Sequence, residues 1–477
     1  MTSVNLRHWV LALGLCASLS AEADFDATMA TYEKGDFVTA QREFATLAQL
    51  GHPGAQFNLG VMYMKGEGLP VDAKQAYSWF SLANANGFPN ADKAMRIMRK
   101  RAGEAEQAAL ETSAHQLMEN YGSAALKKSL LPEPSEQWND NSPRVVSSVA
   151  ADYPGKAKEL GWQGFVIIEY DVAEDGSPRN RRVVEAVPKD IFETYAMRAL
   201  AKWRFQPQEG QSLPYHGDRI LFRFMFSDPV SEAANPTPET GSHLKKAITA
   251  RDSFAERFGM KIYNRAKEGE PYMQYMYGLI SPESDVLPDN TPINWFVPAA
   301  QAGVAQAQYE LGKALLRGEG CVIDRTKALR WLSLAASQGF TPAQYRLAQE
   351  LLGDDKADEA MTWLEKAAAG GMMVAARDLA WLLATHPDAT HRNGKRGVEL
   401  ADGALNGLRG RVEPTLWEAA AAAYAETGNF EQAVRLEKNA IDEAGSQGWD
   451  TLKMQTRLAA YHAKKPWRSD ASDRLLL

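Results

Sequence analysis

Cysteine is almost missing from this chain: there are two in 477 residues, Cys16 and Cys321. Cys16 sits in a short apolar run near the start, which leaves Cys321 alone in the remainder and excludes an intrachain disulfide there. Stability must come from packing. An excess of positive charge is also missing. Lysine and arginine total 53 against 60 acidic residues, for a net charge of −7 and a pI near 5.8. Nucleic-acid binding wants a basic stripe, and this balance argues against it. Beyond the first two dozen residues no apolar run approaches the roughly 20 residues that a spanning helix needs. The glycine-rich Gly-Glu-Gly stretches at 66–68 and 318–320 are not followed by Lys-Ser or Lys-Thr, so they are not phosphate loops.

What the start does contain is one arginine, an apolar run over 9–19 and the small-x-small triplet Ala21-Glu22-Ala23. That order reads as a secretory signal removed after Ala23, with a retained membrane anchor as the alternative. Leu15 before Cys16 lacks the small side chain of a lipoprotein cleavage site. Export to the periplasm is therefore expected, or an inner-membrane anchor facing it.

Strong β character is confined to residues 143–227. Tyr153-Pro154 leads to Gly161 and Gly164, and then Val166, Ile168, Tyr170 and Val172 alternate as a strand. Asp175-Gly176 is a hairpin signal. Phe192, Tyr195, Ala199, Leu200 and Trp203 mark one apolar helix face, Trp203-Arg204-Phe205-Gln206-Pro207 follows, and Ile220, Phe222, Phe224 and Phe226 alternate in a last strand. This order resembles the C-terminal domain of the TonB family. The resemblance implies a small α+β unit, a three-stranded antiparallel sheet with helices on one face, whose last strand is an edge that partner peptides can join. An edge strand leaves N–H and C=O groups that an extended peptide can pair with. The expected partner-binding residues are thus Arg219, Ile220, Leu221, Phe222, Arg223, Phe224, Met225 and Phe226. Tyr153, Trp203 and Phe205 are expected to hold the module together, and Arg223 to discourage nonspecific pairing.

Both flanks repeat internally. Residues 55–91, AQFNLGVMYMKGEGLPVDAKQAYSWFSLANANGFPNA, align with 307–343, AQYELGKALLRGEGCVIDRTKALRWLSLAASQGFTPA. Leu59 matches Leu311, Gly60 Gly312, Asp72 Asp324, Trp79 Trp331 and Gly87 Gly339. Each unit predicts a helix, a Gly-x-Gly loop, an aspartate N-cap and a second helix ending on glycine. The pattern is similar to the Sel-one-like repeat, a relative of the tetratricopeptide repeat, and 415–444 resembles an ordinary tetratricopeptide unit at Tyr424, Gly428, Phe430 and Ala433. Residues 92–128 read as capping helices.

The expected organisation is a signal at 1–23, helical repeats and caps at 24–130, a linker at 131–142, the α+β module at 143–227, a flexible linker at 228–242, repeats at 243–412, a tetratricopeptide-like unit and cap at 413–465, and a tail at 466–477. Linkers of this kind leave the orientation of the parts variable.

Helix pairs that stack present surfaces for proteins and peptides rather than chemistry. His386 and His391 share a loop without a third metal ligand and read as solvent-facing. Cys321 reads as a buried thiol. Asp354-Asp355 and Glu67 with Asp72 read as loop and cap residues, and Arg179, Arg181 and Arg182 as a solvated strand face. No catalytic, cofactor or metal site is expected. The function expected is a non-enzymatic periplasmic scaffold whose partners are envelope proteins or peptides, including periplasmic segments of outer-membrane receptors. An energy transducer for outer-membrane transport and a peptidoglycan-associated module are the alternatives.

Overall fold

The computed structural model describes residues 25–135, 142–225, 258–283, 286–407 and 412–469. The expected signal, the second linker and Phe226 lie outside them. The architecture is a helical-repeat fold on both sides of a small domain with a three-stranded antiparallel sheet.

The amino-terminal group comprises α1 (Phe25–Glu33), α2 (Phe37–Gln49), α3 (Pro53–Lys65), α4 (Ala73–Ala85), α5 (Ala91–Arg101), α6 (Glu104–Tyr121) and α7 (Ser123–Ser129). The central segment runs β1 (Arg144–Ser147), α8 (Gly155–Glu159), β2 (Gly164–Val172), β3 (Pro178–Val187), α9 (Glu193–Leu200), β4 (Arg204–Gln206) and β5 (Tyr215–Phe224). The remaining helices are α10 (Met260–Lys267), α11 (Pro271–Ile280), α12 (Pro292–Gln301), α13 (Ala305–Arg317), α14 (Arg325–Ser337), α15 (Thr341–Gly353), α16 (Ala357–Ala369), α17 (Met373–Thr385), α18 (Gly394–Gly407), α19 (Pro414–Glu426), α20 (Phe430–Ser446) and α21 (Leu452–His462).

The repeat signals do what their chemistry predicts. Asp72 caps α4 by accepting from the Lys74 and Gln75 amides, and Asp324 caps α14 through the Lys327 amide. Gly66 and Gly318 close α3 and α13 at φ 77° and 76°, the left-handed region where glycine carries no steric cost. A side chain at Gly68 would meet the Phe37 carbonyl oxygen at 2.4 Å, so the second glycine is needed for close approach. A further device recurs. Gln56, Gln308 and Gln344 each donate, at 3.0 Å, to a carbonyl eight residues earlier: Ala48, Ala300 and Ala336. Gln274 makes the same bond to Ala266 at 3.3 Å. Each ties the start of one helix to an end carbonyl of the helix before it, one of those that lack an intrahelical donor.

The two helical groups are not independent. Trp331, fully buried, donates its indole N–H to the Leu130 carbonyl at 2.9 Å. Arg330 and Lys327 bond the carbonyls of Ser129 and Lys127, and Gln301 donates to Leu50 at 3.0 Å. Leu50, Leu126 and Leu130 belong to one apolar core with Phe296, Leu311 and Trp331. The start of the expected first linker is also held: the Val322 amide bonds Glu133, and the Ser135 amide bonds Gly320. The variable orientation expected from the linkers is corrected by these contacts, which fix the amino-terminal group against α12 and α14.

Candidate peptide-binding edge

The strand order β3-β2-β5 puts β5 at one edge of the sheet, with β2 its only strand partner among the described residues. Alternation along β2 then assigns two faces. Val166, Ile168, Tyr170 and Val172 pack with Phe222 and Phe224 of β5 against Phe192, Ala196 and Leu200, around helix α9. Phe192 and Phe224 stack at 4.4 Å, Tyr153 meets both rings edge-on, and Trp203 lies 5.6 Å from Phe222. Tyr153, Trp203 and Phe205 therefore sit in or against this module's own core.

The opposite face carries Phe165, Ile167, Glu169 and Asp171 of β2 with Arg219, Leu221 and Arg223 of β5. It is not free. Phe165, Ile167 and Leu221 share a core with Tyr275, Leu279, Ile293, Phe296 and Ala314 of α11 to α13. Helices α11, α12 and α13 thus line the sheet, and this part of the repeat surface is occupied by the chain's own strands.

Charge fixes this seam. Buried Glu169 accepts from Arg182 at 2.9 Å, Lys313 Nζ at 2.5 Å and the Tyr309 hydroxyl at 2.8 Å. Burial by itself raises the Glu169 carboxyl, but Arg182 and Lys313 outweigh it and hold it far below the usual carboxylate range. For Lys313 burial wins and its pKa is lowered, although Glu169 and Glu310 oppose that. Arg219 pairs with Glu310 at 3.1 Å, and Arg317 pairs with Glu319 at 3.1 Å while donating to the His216 carbonyl. Further along, the Tyr272 hydroxyl meets Glu185 at 2.5 Å and Arg377 donates to Asn180 at 2.8 Å.

The arginines at 179, 181 and 182 are not a solvated face. Arg182 is committed to Glu169, Arg181 bonds Glu413 at 3.1 Å, and the Arg179 guanidinium lies 4.0 Å over the Trp449 ring. The long alternation of charge in β3 meets α13, the turn before α19 and the turn after α20. These are intramolecular contacts, and the sequence reading of them is corrected.

Of the expected edge residues, Arg219, Ile220, Leu221, Phe222, Arg223 and Phe224 lie in β5 and Met225 directly follows it. Leu221, Phe222 and Phe224 are buried, while Ile220, Arg223 and Met225 are half-buried. Arg223 shares the repeat-facing side with Arg219 rather than guarding an open face. Sequence reasoning missed Glu169, Tyr309, Glu310, Lys313 and Arg317. Their signal was present: a carboxylate inside an apolar strand run, and a lysine at 313 where the aligned repeat has Val61.

The other singled-out residues have local roles. Asp354 bonds Arg325 at 3.0 Å, and Glu67 accepts from the Tyr32 hydroxyl at 2.5 Å. Cys321 is buried and its thiol is pushed up to about 11 by burial. His386 and His391 are half-buried with rings 4.4 Å apart, and His391 meets Asp358 at 3.1 Å. Among the described residues no group of three or more His, Cys, Asp or Glu side chains is placed to hold a metal ion. Among them, too, no helix is long and apolar enough to cross a membrane.

A helical-repeat protein that encloses one face of a small α+β module is the class this geometry defines. Comparison with known proteins gives the families. Residues 149–227 match the Gram-negative bacterial TonB protein C-terminal family, and residues 53–88, 305–340 and 341–372 match the Sel1 repeat. The chain carries a TonB C-terminal domain set between Sel1 repeats. Protein TonB of Yersinia enterocolitica is 38% identical over 64 residues, 13% of this chain and 25% of that one. Protein TonB of Klebsiella pneumoniae is 33% identical over 84 residues, 18% of this chain and 33% of that one. The chain thus spans about a quarter to a third of the length of these relatives. Among solved structures, c5321, a protective antigen of uropathogenic Escherichia coli displaying an SLR fold, aligns at TM-score 0.35 and 17% identity over 94% of this chain and 74% of its own. The Pseudomonas aeruginosa TonB C-terminal domain aligns at TM-score 0.17 and 27% identity over 19% of this chain and 92% of its own. Both matched families are protein-interaction modules.

Proposed function

We propose that this chain is a non-enzymatic adaptor of the cell envelope that captures an extended peptide along the outer edge of β5. The observation that carries the reading is topological. Helix α9 covers one face of the sheet and the repeats cover the other, while β5 has, among the described residues, a strand partner on one side only. Edge addition draws affinity from main-chain hydrogen bonds and specificity from alternate side chains. The resemblance to TonB supports an envelope location and a receptor-derived peptide as the partner. The seam supports a further point: the edge is presented by a rigid body, so little ordering cost falls on the protein when a peptide docks.

The test uses a nonapeptide selected from a random phage-displayed library on the full chain, and the same peptide methylated at alternate backbone nitrogens. Methylation removes donors without changing side chains, so one alternation pattern should weaken binding by about 100-fold or more, given about 1 kcal/mol per hydrogen bond. Equal affinity of the parent and both methylated forms would overturn strand addition.

A further inference from the structure

Helix α5 carries five lysines and arginines against Asp92 alone, in a chain whose net charge is −7. One side of it is core: Ala91 is buried, and Met95 and Met98 pack toward Val61, Phe80, Tyr77 and Leu110. Arg99 turns inward and donates to the Tyr77 hydroxyl at 2.6 Å. The opposite side is exposed. Lys93, Ile97 and Arg101 follow one another along it at i, i+4 spacing, with Arg96 and Lys100 alongside. Of these four outer cations, Arg96 alone has an ion-pair partner among the described residues, Asp92 at 2.9 Å, and that pair is itself exposed.

The aligned repeat shows what this side does elsewhere. In the register that matches 55–91 with 307–343, Lys93, Arg96 and Lys100 fall on Tyr345, Ala348 and Leu352. Those three are buried in the core that α15 shares with Leu364 of α16 and Leu379 of α17. In α5 the same side faces outward and is cationic. A polar end face keeps a repeat stack from growing, but mixed charge would do that as well, and here the sign is single. Nor does the helix dipole account for it. The dipole favours cations in the last turn, and Lys93 and Arg96 stand before that turn.

We propose that the outer side of α5 docks on an anionic phospholipid surface. The core of a protein interface is depleted in charge, and one isoleucine among four cations is the reverse. A headgroup layer takes both parts: the cations pair with phosphates, while their apolar stems and Ile97 reach toward the acyl boundary. The outer side of a single helix is convex, which suits a broad charged plane better than an enclosed ligand. Glu104 and Glu106, the next acids along the chain, stand in the first turn of α6 and suit that helix's own dipole. The inference does not depend on strand addition at β5.

Flotation of the full chain with vesicles tests it, using phosphatidylcholine alone and equal parts of phosphatidylcholine and phosphatidylglycerol. The parent should float with the anionic vesicles at low salt and be released at high salt. Replacing Lys93, Arg96, Lys100 and Arg101 together by glutamine should weaken that partition about tenfold or more, with an unchanged thermal melt. Arg96→Lys with Arg101→Lys should keep it, and Ile97→Asn should weaken it about threefold. Equal partition of the parent and the fourfold glutamine variant overturns the proposal. Equal binding of the parent to both vesicle types overturns it as well, because the attraction is then not to anionic charge. A parent that ignores both vesicle types also overturns it, and turns the search to an acidic protein.

Discussion

Phe57 and Tyr309 hold the same place in two copies of one helix pair, and their neighbours differ. The framework around them is shared: Gln56 and Gln308 make the same bond at 3.0 Å, and Asp72 and Asp324 cap the second helix in the same way. The positions that meet what packs against the pair then diverge. In the amino-terminal copy Phe57 stacks on Phe88 at 4.7 Å, and Val61 packs with Phe80 and Met95. In the carboxy-terminal copy Tyr309 and Lys313 reach Glu169 of the sheet, and Glu310 reaches Arg219. A repeat therefore separates the residues that make it a repeat from the residues that choose what it holds. The first set is apolar, amide and glycine; the second is free to become a charged seam.

The sharpest way to break this contrast is to give the second copy the first copy's residue. Lys313→Val leaves Glu169 and Glu310 short of a buried cation, and should cost about 3–5 kcal/mol. Denaturant unfolding reads the loss, and a change under 1 kcal/mol would show that the seam is not electrostatically held. Comparing the tryptophans comes next. Trp331→Ala should cost about 3–5 kcal/mol as a large-to-small core change. Trp79→Ala should cost about 1 kcal/mol less, because the Trp79 indole N–H has no partner among the described residues whereas that of Trp331 bonds Leu130.

A pH scan sharpens the difference between the groups. His52 caps α3 through Nδ1 accepting the Ala55 amide, lies 4.4 Å from the Phe25 ring, and is lowered by burial to about 4. Its folded value lies below the ordinary 6.5, so the unfolded chain binds the proton more readily across that window. Stability is full above about 6.5 and falls as pH drops toward 4, by about 3 kcal/mol. His52→Asn keeps a cap and should flatten that part of the profile. The smallest effect tests the shared framework: Gln308→Leu and Gln56→Leu should each cost about 0.5–1.5 kcal/mol, since each removes one side-chain bond to a carbonyl that still accepts the Gly303 or Gly51 amide. Unequal values would mean that the clamp does not act alike in the two copies.

Much of the fold was legible because its signals are local. Aspartate caps, left-handed glycines, the Asp175-Gly176 turn and strand alternation each depend on a few neighbouring residues. The order of helices and strands follows from them. The pairing across the seam was not legible: Glu169 in an apolar run and Lys313 in place of Val61 each stand out, but they are far apart in sequence and nothing local joins them. The strip at 179–182 misled for the same reason: an alternating charge on a strand marks a wet face unless something covers it. Residues 219–224 were placed in a last strand from the final alternation of aromatics, and at the sheet's edge by the resemblance to the TonB family. The apolar layer over Ile167 and Leu221, with Leu279, Ile293 and Phe296, carries no motif and emerges only when the repeats are folded against the sheet.

Native-state hydrogen exchange of the full chain tests the central claim most directly, that sheet and repeats form one body. The account predicts that amides of β2 between Phe165 and Val172 and those of α13 open together, with the same highest free energy of exchange, and that Lys313→Val lowers both equally. A sheet that opens at a lower free energy than α13, and is indifferent to Lys313→Val, would contradict it.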